Sequence, residues 1–225
     1  MVLKICGITR RTDALHATQQ GATALGFVFW EKSPRYVVPE RAAEIIAELP
    51  SAVTSVGVFV NGDIDRVRAA ATTAGVGVVQ LHGDEPPAYG DALGYPIVRS
   101  MTLIDADAVI ACWPAGTTLL LDAADRERRG GTGVTVDWPR AAVLARRRRV
   151  ILAGGLTPEN VGDAIATVNP YGVDVSSGVE ISPGVKDPAK VARFLENALV
   201  ALELRARLEA GQHNVGPGFS RADTK

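Results

Sequence analysis

The chain has 225 residues, which suits one αβ barrel domain and leaves little room for a second domain. Its formal net charge of −1 argues against a nucleic-acid-binding surface, which normally needs a clear basic excess. Cys6 and Cys112 are far apart and form no metal or disulfide motif, and no apolar run approaches the roughly 20 residues of a membrane span, so we expect a cytoplasmic protein without membrane contact.

Short apolar runs alternate with helical patterns along the whole chain, which predicts βαβ units and a parallel sheet. Eight runs are candidate strands, at residues 2–6, 24–29, 54–60, 77–81, 97–101, 118–122, 150–153 and 172–175. Most are apolar throughout, as expected of strands that are covered on both faces. The pattern fits a single-domain (β/α)₈ TIM barrel.

The alternative architecture is an open, doubly wound sheet. That fold usually has a glycine-rich turn directly after its first strand, whereas here only Gly7 follows the first strand. The glycines concentrate late in the chain, and the phosphate site of a barrel usually lies after strands seven and eight. The late glycines therefore favour the barrel.

Four local signals predict where helices begin. Pro39 opens one helix, and Asp63 is expected to cap the next. Thr157-Pro158-Glu159 and Asp187-Pro188 each combine a capping residue with a proline at the first turn. We assign residues 1–205 to the barrel and expect a disordered tail over 206–225, because the final residues are polar, contain glycine and lack periodicity.

Cys6 and Asp122 are the candidate proton-transfer residues, because each ends a predicted strand and barrel active sites lie at the carboxyl ends of the strands. Lys4 is two residues before Cys6 and shares its face, so its ammonium is expected to favour the thiolate form of Cys6. Partial burial of Asp122 is expected to raise its pKa and make it an acid. Cys112 falls in a predicted helix and is interpreted as a packing residue.

Glycine and serine residues follow the last two strands, where a phosphate is expected. Gly154-Gly155 follows strand seven, Asp174 lies near the end of strand eight, and Ser176-Ser177-Gly178 follows it. Backbone amides beside glycine can approach a phosphate closely. The glycines of residues 130–133 are interpreted as a mobile loop or a further part of the same phosphate site.

Two more strand-end side chains are candidate ligand contacts. Arg35 lies in the second βα loop, where a guanidinium suits a carboxylate or a phosphate, but a solvated loop cation is the alternative. His82 ends strand four and is either a ligand contact or a hydrogen-bonded core group. We find no plausible set of metal ligands.

Taken in order, these motifs resemble the phosphoribosylanthranilate isomerase family of tryptophan biosynthesis. The similarity covers roughly residues 3–200, and the motifs that carry it are KICGIT, GFVF, SPR, GVFV, QLHG, LLLD, GGT, GGLTPENV, DVSSGVE and PGVKD.

The resemblance implies an Amadori rearrangement of a phosphorylated small molecule, N-(5-phosphoribosyl)anthranilate, without a cofactor. It implies that Cys6 is the general base, that Asp122 is the general acid and that Arg35 holds the anthranilate end. Family members are monomers or homodimers. The alternatives are another phosphate-binding barrel, such as an epimerase or a different sugar isomerase, and a non-catalytic barrel that acts as a scaffold.

Overall fold

The computed structural model describes residues 1–123 and 136–212. Eight parallel strands close into a barrel in chain order, and β1 is hydrogen-bonded to both β2 and β8. This closure confirms the predicted (β/α)₈ barrel, and every strand end agrees with the prediction within one residue. The strands are β1 Val2–Cys6, β2 Ala24–Val28, β3 Thr54–Phe59, β4 Val78–Leu81, β5 Ile97–Met101, β6 Thr118–Leu121, β7 Val150–Leu152 and β8 Gly172–Val175.

An α-helix follows each of these strands. Asp63 caps α3 by accepting from the amides of Asp65 and Arg66, and the first residue of α2 is Pro39, both as predicted. The helices are α1 Arg11–Gln19, α2 Pro39–Ile46, α3 Ile64–Ala74, α4 Pro87–Leu93, α5 Ala106–Cys112, α6 Trp138–Arg147, α7 Val161–Val168 and α8 Pro188–Gln212.

The predicted start of α7 at Thr157-Pro158-Glu159 is wrong. The Asn160 side chain accepts from the Thr157 amide and donates to the Gly155 carbonyl, which holds residues 157–160 in a turn. The helix therefore begins only at Val161.

Helix α8 continues to Gln212, past the expected end of the barrel domain at residue 205. Strong helix formers occupy residues 201–210, and their propensity sustains the helix beyond the barrel. Residues 213–225 lie outside the described part of the chain, and the disorder expected for the tail stays a prediction. The glycines of residues 130–133 also lie outside it.

The main hydrophobic core lies between the strands and the surrounding helices. Among the described residues, two small apolar clusters lie inside the barrel, one around Cys6, Val28 and Val58 and one around Leu120 and Ile151. The interior also contains polar side chains, so the barrel axis carries charges that the site can use.

Beyond β8 the chain forms a 3₁₀ turn, Ser177–Val179, and a short antiparallel hairpin of β9 Glu180–Ser182 and β10 Val185–Lys186. This hairpin lies next to the carboxyl ends of the strands. Cys112 is exposed at the end of α5, so the interpretation as a packing residue is wrong. Within the described ranges, no helix has the length and apolar character needed to cross a membrane.

Candidate active site

A cavity of about 600 Å³ opens at the carboxyl ends of the strands. The closed barrel brings together strand ends that are far apart in sequence, and all ten residues predicted to form the site line this cavity. They are Cys6, Arg35, His82, Asp122, Gly154, Gly155, Asp174, Ser176, Ser177 and Gly178. The cavity is therefore the candidate active site.

Cys6 is buried at the end of β1, and Lys4 favours its thiolate form as predicted, but this effect is smaller than that of burial, which favours the thiol. The Lys4 ammonium forms an ion pair with the Asp174 carboxylate, with 2.9 Å between Nζ and Oδ2. Burial raises the pKa of the Cys6 thiol, and the charge of Lys4 opposes burial only in part while Asp174 adds to it. The resting form of Cys6 is therefore the thiol.

The Lys4 ammonium itself is held in its charged form. Burial alone lowers the pKa of a lysine, but the adjacent Asp174 carboxylate raises the pKa of Lys4 to about 12. The two residues are neighbours because β1 and β8 pair where the barrel closes, and their register sets Lys4 opposite Asp174.

Asp122 lies directly after β6, and burial raises its pKa to about 6, although the Ala123 amide donates to Oδ1 and works in the opposite direction. His82 Nε2 is 3.6 Å from Asp122 Oδ2. Burial and the charge of Lys4 lower the pKa of His82 to about 4, so the imidazole is neutral near pH 7. Asp122 thus has the pKa of a usable general acid, as predicted from its position.

Three buried polar atoms at the cavity make no hydrogen bond within the described residues. They are Asp174 Oδ1, Ser176 Oγ and Gln80 Oε1. A buried polar atom without a partner costs free energy, so such atoms in a cavity are suited to binding a polar ligand. The sequence signal for Gln80 was its place in the QLHG motif, but we did not assign it to the site.

The loops after β7 and β8 form one side of the cavity. Gly154 and Gly155 both have positive φ, at 76° and 65°. A Cβ atom on Gly178 would lie 2.0 Å from the Leu156 carbonyl oxygen, so the two loops pack against each other at a position only glycine can occupy. This close packing places the backbone of both loops at the same end of the cavity.

Arg35 enters the cavity from the loop after β2 and is paired with Glu180. Its Nε and Nη2 donate to the two carboxylate oxygens of Glu180, at 2.9 and 2.7 Å. Glu180 belongs to the DVSSGVE motif, but the sequence analysis does not predict it as a site residue. A sequence shows that a glutamate follows strand eight, but not that it meets an arginine from 145 residues earlier.

An apolar wall completes the cavity. Val28, Val58 and Trp30 line it beside Cys6, and none of the three was predicted as a site residue. The described residues contain no cluster of His, Cys, Asp and Glu that could hold a metal ion.

Comparison with known proteins identifies the family. A family model described as N-(5'-phosphoribosyl)anthranilate (PRA) isomerase matches residues 3–197. The N-(5'-phosphoribosyl)anthranilate isomerase of Citrifermentans bemidjiense is 50% identical over 197 residues, covering 87% of this chain and 96% of that protein. The crystal structure of phosphoribosyl anthranilate isomerase from Thermotoga maritima matches with a TM-score of 0.82 at 40% identity, over 89% of this chain and 100% of that one. A solved phosphoribosyl anthranilate isomerase in complex with reduced 1-(o-carboxyphenylamino)-1-deoxyribulose 5-phosphate matches with a TM-score of 0.79 at 38% identity, again over 89% and 100% of the two chains. The chain, as the order of its strand-end motifs predicted, belongs to the N-(5'-phosphoribosyl)anthranilate isomerase family.

Proposed function

We propose that this enzyme catalyses the Amadori rearrangement of N-(5-phosphoribosyl)anthranilate to 1-(o-carboxyphenylamino)-1-deoxyribulose 5-phosphate, a step of tryptophan biosynthesis. The observation that carries the proposal is the meeting of a partly buried acid, Asp122, and a buried thiol, Cys6, in one cavity that the glycine loops also line. The names of the relatives agree with it, and the similar solved structure that holds a reduced form of this product supports the same chemistry.

In the proposed mechanism Asp122 acts first, as the general acid. Its proton goes to the ring oxygen of the ribose, the bond from C1 to that oxygen breaks, and the nitrogen lone pair forms the C=N bond of a Schiff base. A carboxyl group with a pKa about 6 can supply this proton near neutral pH.

Cys6 then acts as the general base. Its thiolate removes the proton from C2 of the sugar, and the electron pair left behind neutralises the iminium nitrogen to give an enolamine. The enolamine tautomerises to the aminoketone product. Because burial favours the thiol, Cys6 must lose its own proton before this step.

We assign the remaining site residues to substrate binding. Gly154, Gly155, Ser176, Ser177 and Gly178 are proposed to hold the phosphate through backbone amides and hydroxyls, because they share one end of the cavity.

Side chains are proposed to bind the other end of the substrate. We propose that Arg35 binds the anthranilate carboxylate and that His82 and Asp174 contact the sugar hydroxyls. The partnerless Oδ1 of Asp174 is an acceptor of the kind a hydroxyl needs.

The test is an activity assay with purified, folded protein and the anthranilate ribotide. The reaction is monitored through the loss of substrate fluorescence. We expect turnover in the wild type and a loss of about 10² to 10⁴ in Cys6→Ala, the usual contribution of a general base. Cys112→Ala is the matched control, because this cysteine is exposed and far from the cavity in the fold. Folded wild-type protein without turnover would refute the proposed function. Near-normal turnover of Cys6→Ala would show that Cys6 is not the general base.

We further propose that the enzyme works in the cytoplasm without a cofactor, as a monomer or a homodimer. Cys6 and Cys112 are both free thiols, which suits a reducing compartment. One similar structure is described as monomers generated from the dimeric enzyme of Thermotoga maritima.

A further inference from the structure

The side chain of Arg35 is held tightly along its whole length. Its stem lies across Gly7, where an added Cβ atom would come within 2.6 Å of Arg35 Cδ. Its head forms the two-pronged ion pair with Glu180, and only 14% of the Arg35 side chain remains exposed. Both the path and the end point of this side chain are therefore determined by other residues.

Glu180 is itself fixed in the β9–β10 hairpin. Its Oε1 accepts from Lys186 Nζ at 2.8 Å and from the Gly184 amide at 3.2 Å. The side chains of Glu180 and Lys186 are 4% and 1% exposed, so neither can rotate without disrupting the hairpin. A carboxylate with these contacts is a rigid anchor for the guanidinium that it binds.

The guanidinium of an arginine has two edges that can each hold a carboxylate in a bidentate pair. Glu180 occupies the edge formed by Nε and Nη2. The other edge is formed by Nη1 and the second hydrogen of Nη2. Glu180 does not occupy it, and Nη1 makes no hydrogen bond within the described residues. Arg35 lines the cavity, so this second edge is available to a ligand.

We propose that Glu180 is a positioning residue for substrate specificity: it holds Arg35 by one edge so that the other edge meets the ortho-carboxylate of the substrate's aromatic amine. This inference rests on the proposed function, because it takes the anthranilate carboxylate as the partner of Arg35. The apolar wall of Val28, Val58 and Trp30 lines the same cavity and suits the aromatic ring.

A purely electrostatic role of Glu180 makes the opposite prediction. The charge of Glu180 partly neutralises Arg35, so loss of that charge alone would strengthen the binding of an anion. Loss of position would weaken it. Glu180→Gln removes the charge and keeps the shape, whereas Glu180→Asp keeps the charge and withdraws it by one methylene group. A positioning role predicts weaker carboxylate recognition in both variants.

The experiment is titration calorimetry with two stable ligands. One is reduced 1-(o-carboxyphenylamino)-1-deoxyribulose 5-phosphate, and the other is the same molecule without the carboxyl group. We divide the dissociation constant of the ligand without the carboxyl group by that of the ligand with it. This ratio isolates the contribution of the carboxylate to binding, because both ligands carry the same phosphate and sugar. We expect Glu180→Gln and Glu180→Asp each to reduce this ratio about tenfold, as one charge-assisted hydrogen bond is worth roughly that much, while the ligand without the carboxyl group binds as in the wild type. A ratio that is unchanged or larger in Glu180→Gln would overturn the proposal.

Four further variants test whether the effect is specific to the Arg35–Glu180 pair. Arg35→Ala should bring the ratio close to one, and adding Glu180→Gln to it should change nothing more. Glu48→Gln is the matched control, since Glu48 is an exposed partner of Arg11, and it should leave the ratio unchanged. If Glu180→Gln does not fold because Lys186 loses its partner, the double variant E180Q/K186M replaces the buried pair and should show the same tenfold reduction, whereas a wild-type ratio in it overturns the proposal.

The failure of the proposed function gives a different result. In that case Arg35→Ala leaves the ratio as it is in the wild type, and there is no carboxylate contact for Glu180 to support. A ratio that depends on Arg35 but not on Glu180 overturns the positioning role alone.

Discussion

Replacing Asp122 by asparagine removes the proposed acid without changing the size of the side chain. Burial places the pKa of Asp122 at about 6. At pH 7 roughly one molecule in ten then carries the proton, against roughly one in a thousand for an ordinary aspartate of pKa about 3.9. Burial therefore increases the population of the acid form about 100-fold at this pH.

In the proposed mechanism, the working form of the enzyme has protonated Asp122 together with the Cys6 thiolate. Burial raises the pKa of the Cys6 thiol, so the pKa of the base lies above that of the acid. Between the two values the acid fraction falls tenfold per pH unit while the thiolate fraction rises tenfold, and their product stays constant. Because the pKa of the thiol is raised, only a small fraction of the molecules is in the working form at any pH.

The wild-type enzyme should therefore show a kcat/KM that rises up to about pH 6 and is flat from there to the raised pKa of the Cys6 thiol. Asp122→Asn should lower kcat/KM about 10²- to 10⁴-fold. It should also abolish the plateau, because the remaining activity follows the thiolate fraction alone and rises about tenfold per pH unit up to the pKa of the thiol.

The assay is the initial rate of substrate loss between pH 5 and 9, with Asp163→Asn as the control because Asp163 is exposed on α7. The reasoning is refuted if Asp122→Asn keeps a flat profile. It is equally refuted if the wild-type kcat/KM falls tenfold per pH unit between pH 7 and 8.

Two other changes test the proposed phosphate site and the barrel interior. Gly178→Ala would place a methyl group 2.0 Å from the Leu156 carbonyl oxygen, so the loops must separate, and we expect a KM at least about tenfold higher and weaker inhibition by inorganic phosphate. An unchanged KM would argue against a phosphate site there. Lys4→Met leaves the buried Asp174 carboxylate without its ammonium and should lower the free energy of unfolding, measured in urea, by about 3–5 kcal/mol. Adding Asp174→Asn should restore most of that stability, and no recovery would mean that Lys4 contributes through packing alone.

The strands were predictable because their determinants are local. A parallel strand covered on both faces is apolar at nearly every position, so the runs at β2 and β7 are recognisable without any knowledge of their neighbours. The acid role expected of Asp122 also depended only on its position after such a strand. Helix starts were less certain, as α7 shows, because the side chain of Asn160 extends the preceding turn.

The errors concern contacts between distant parts of the chain. Lys4 and Cys6 share a face of β1, but the ammonium is held by Asp174, which lies 170 residues away in sequence. Likewise, no local pattern reveals that Arg35 meets Glu180, or that Cys112 faces outward. A pKa depends on burial and on every nearby charge, so the protonation state of Cys6 could not be obtained from one strand alone.

The sequence by itself determined the order of the strands, the barrel class and the identity of the side chains at the strand ends, since these follow from periodicity and from neighbours along the chain. Tertiary structure alone decided which of those side chains meet. Closure of the barrel sets β8 beside β1, so that Asp174 forms an ion pair with Lys4 and Cys6 is a buried thiol. The hairpin after β8 places Glu180 where it accepts hydrogen bonds from Arg35. Both pairings are long-range contacts, and their energies exist only once the chain has folded.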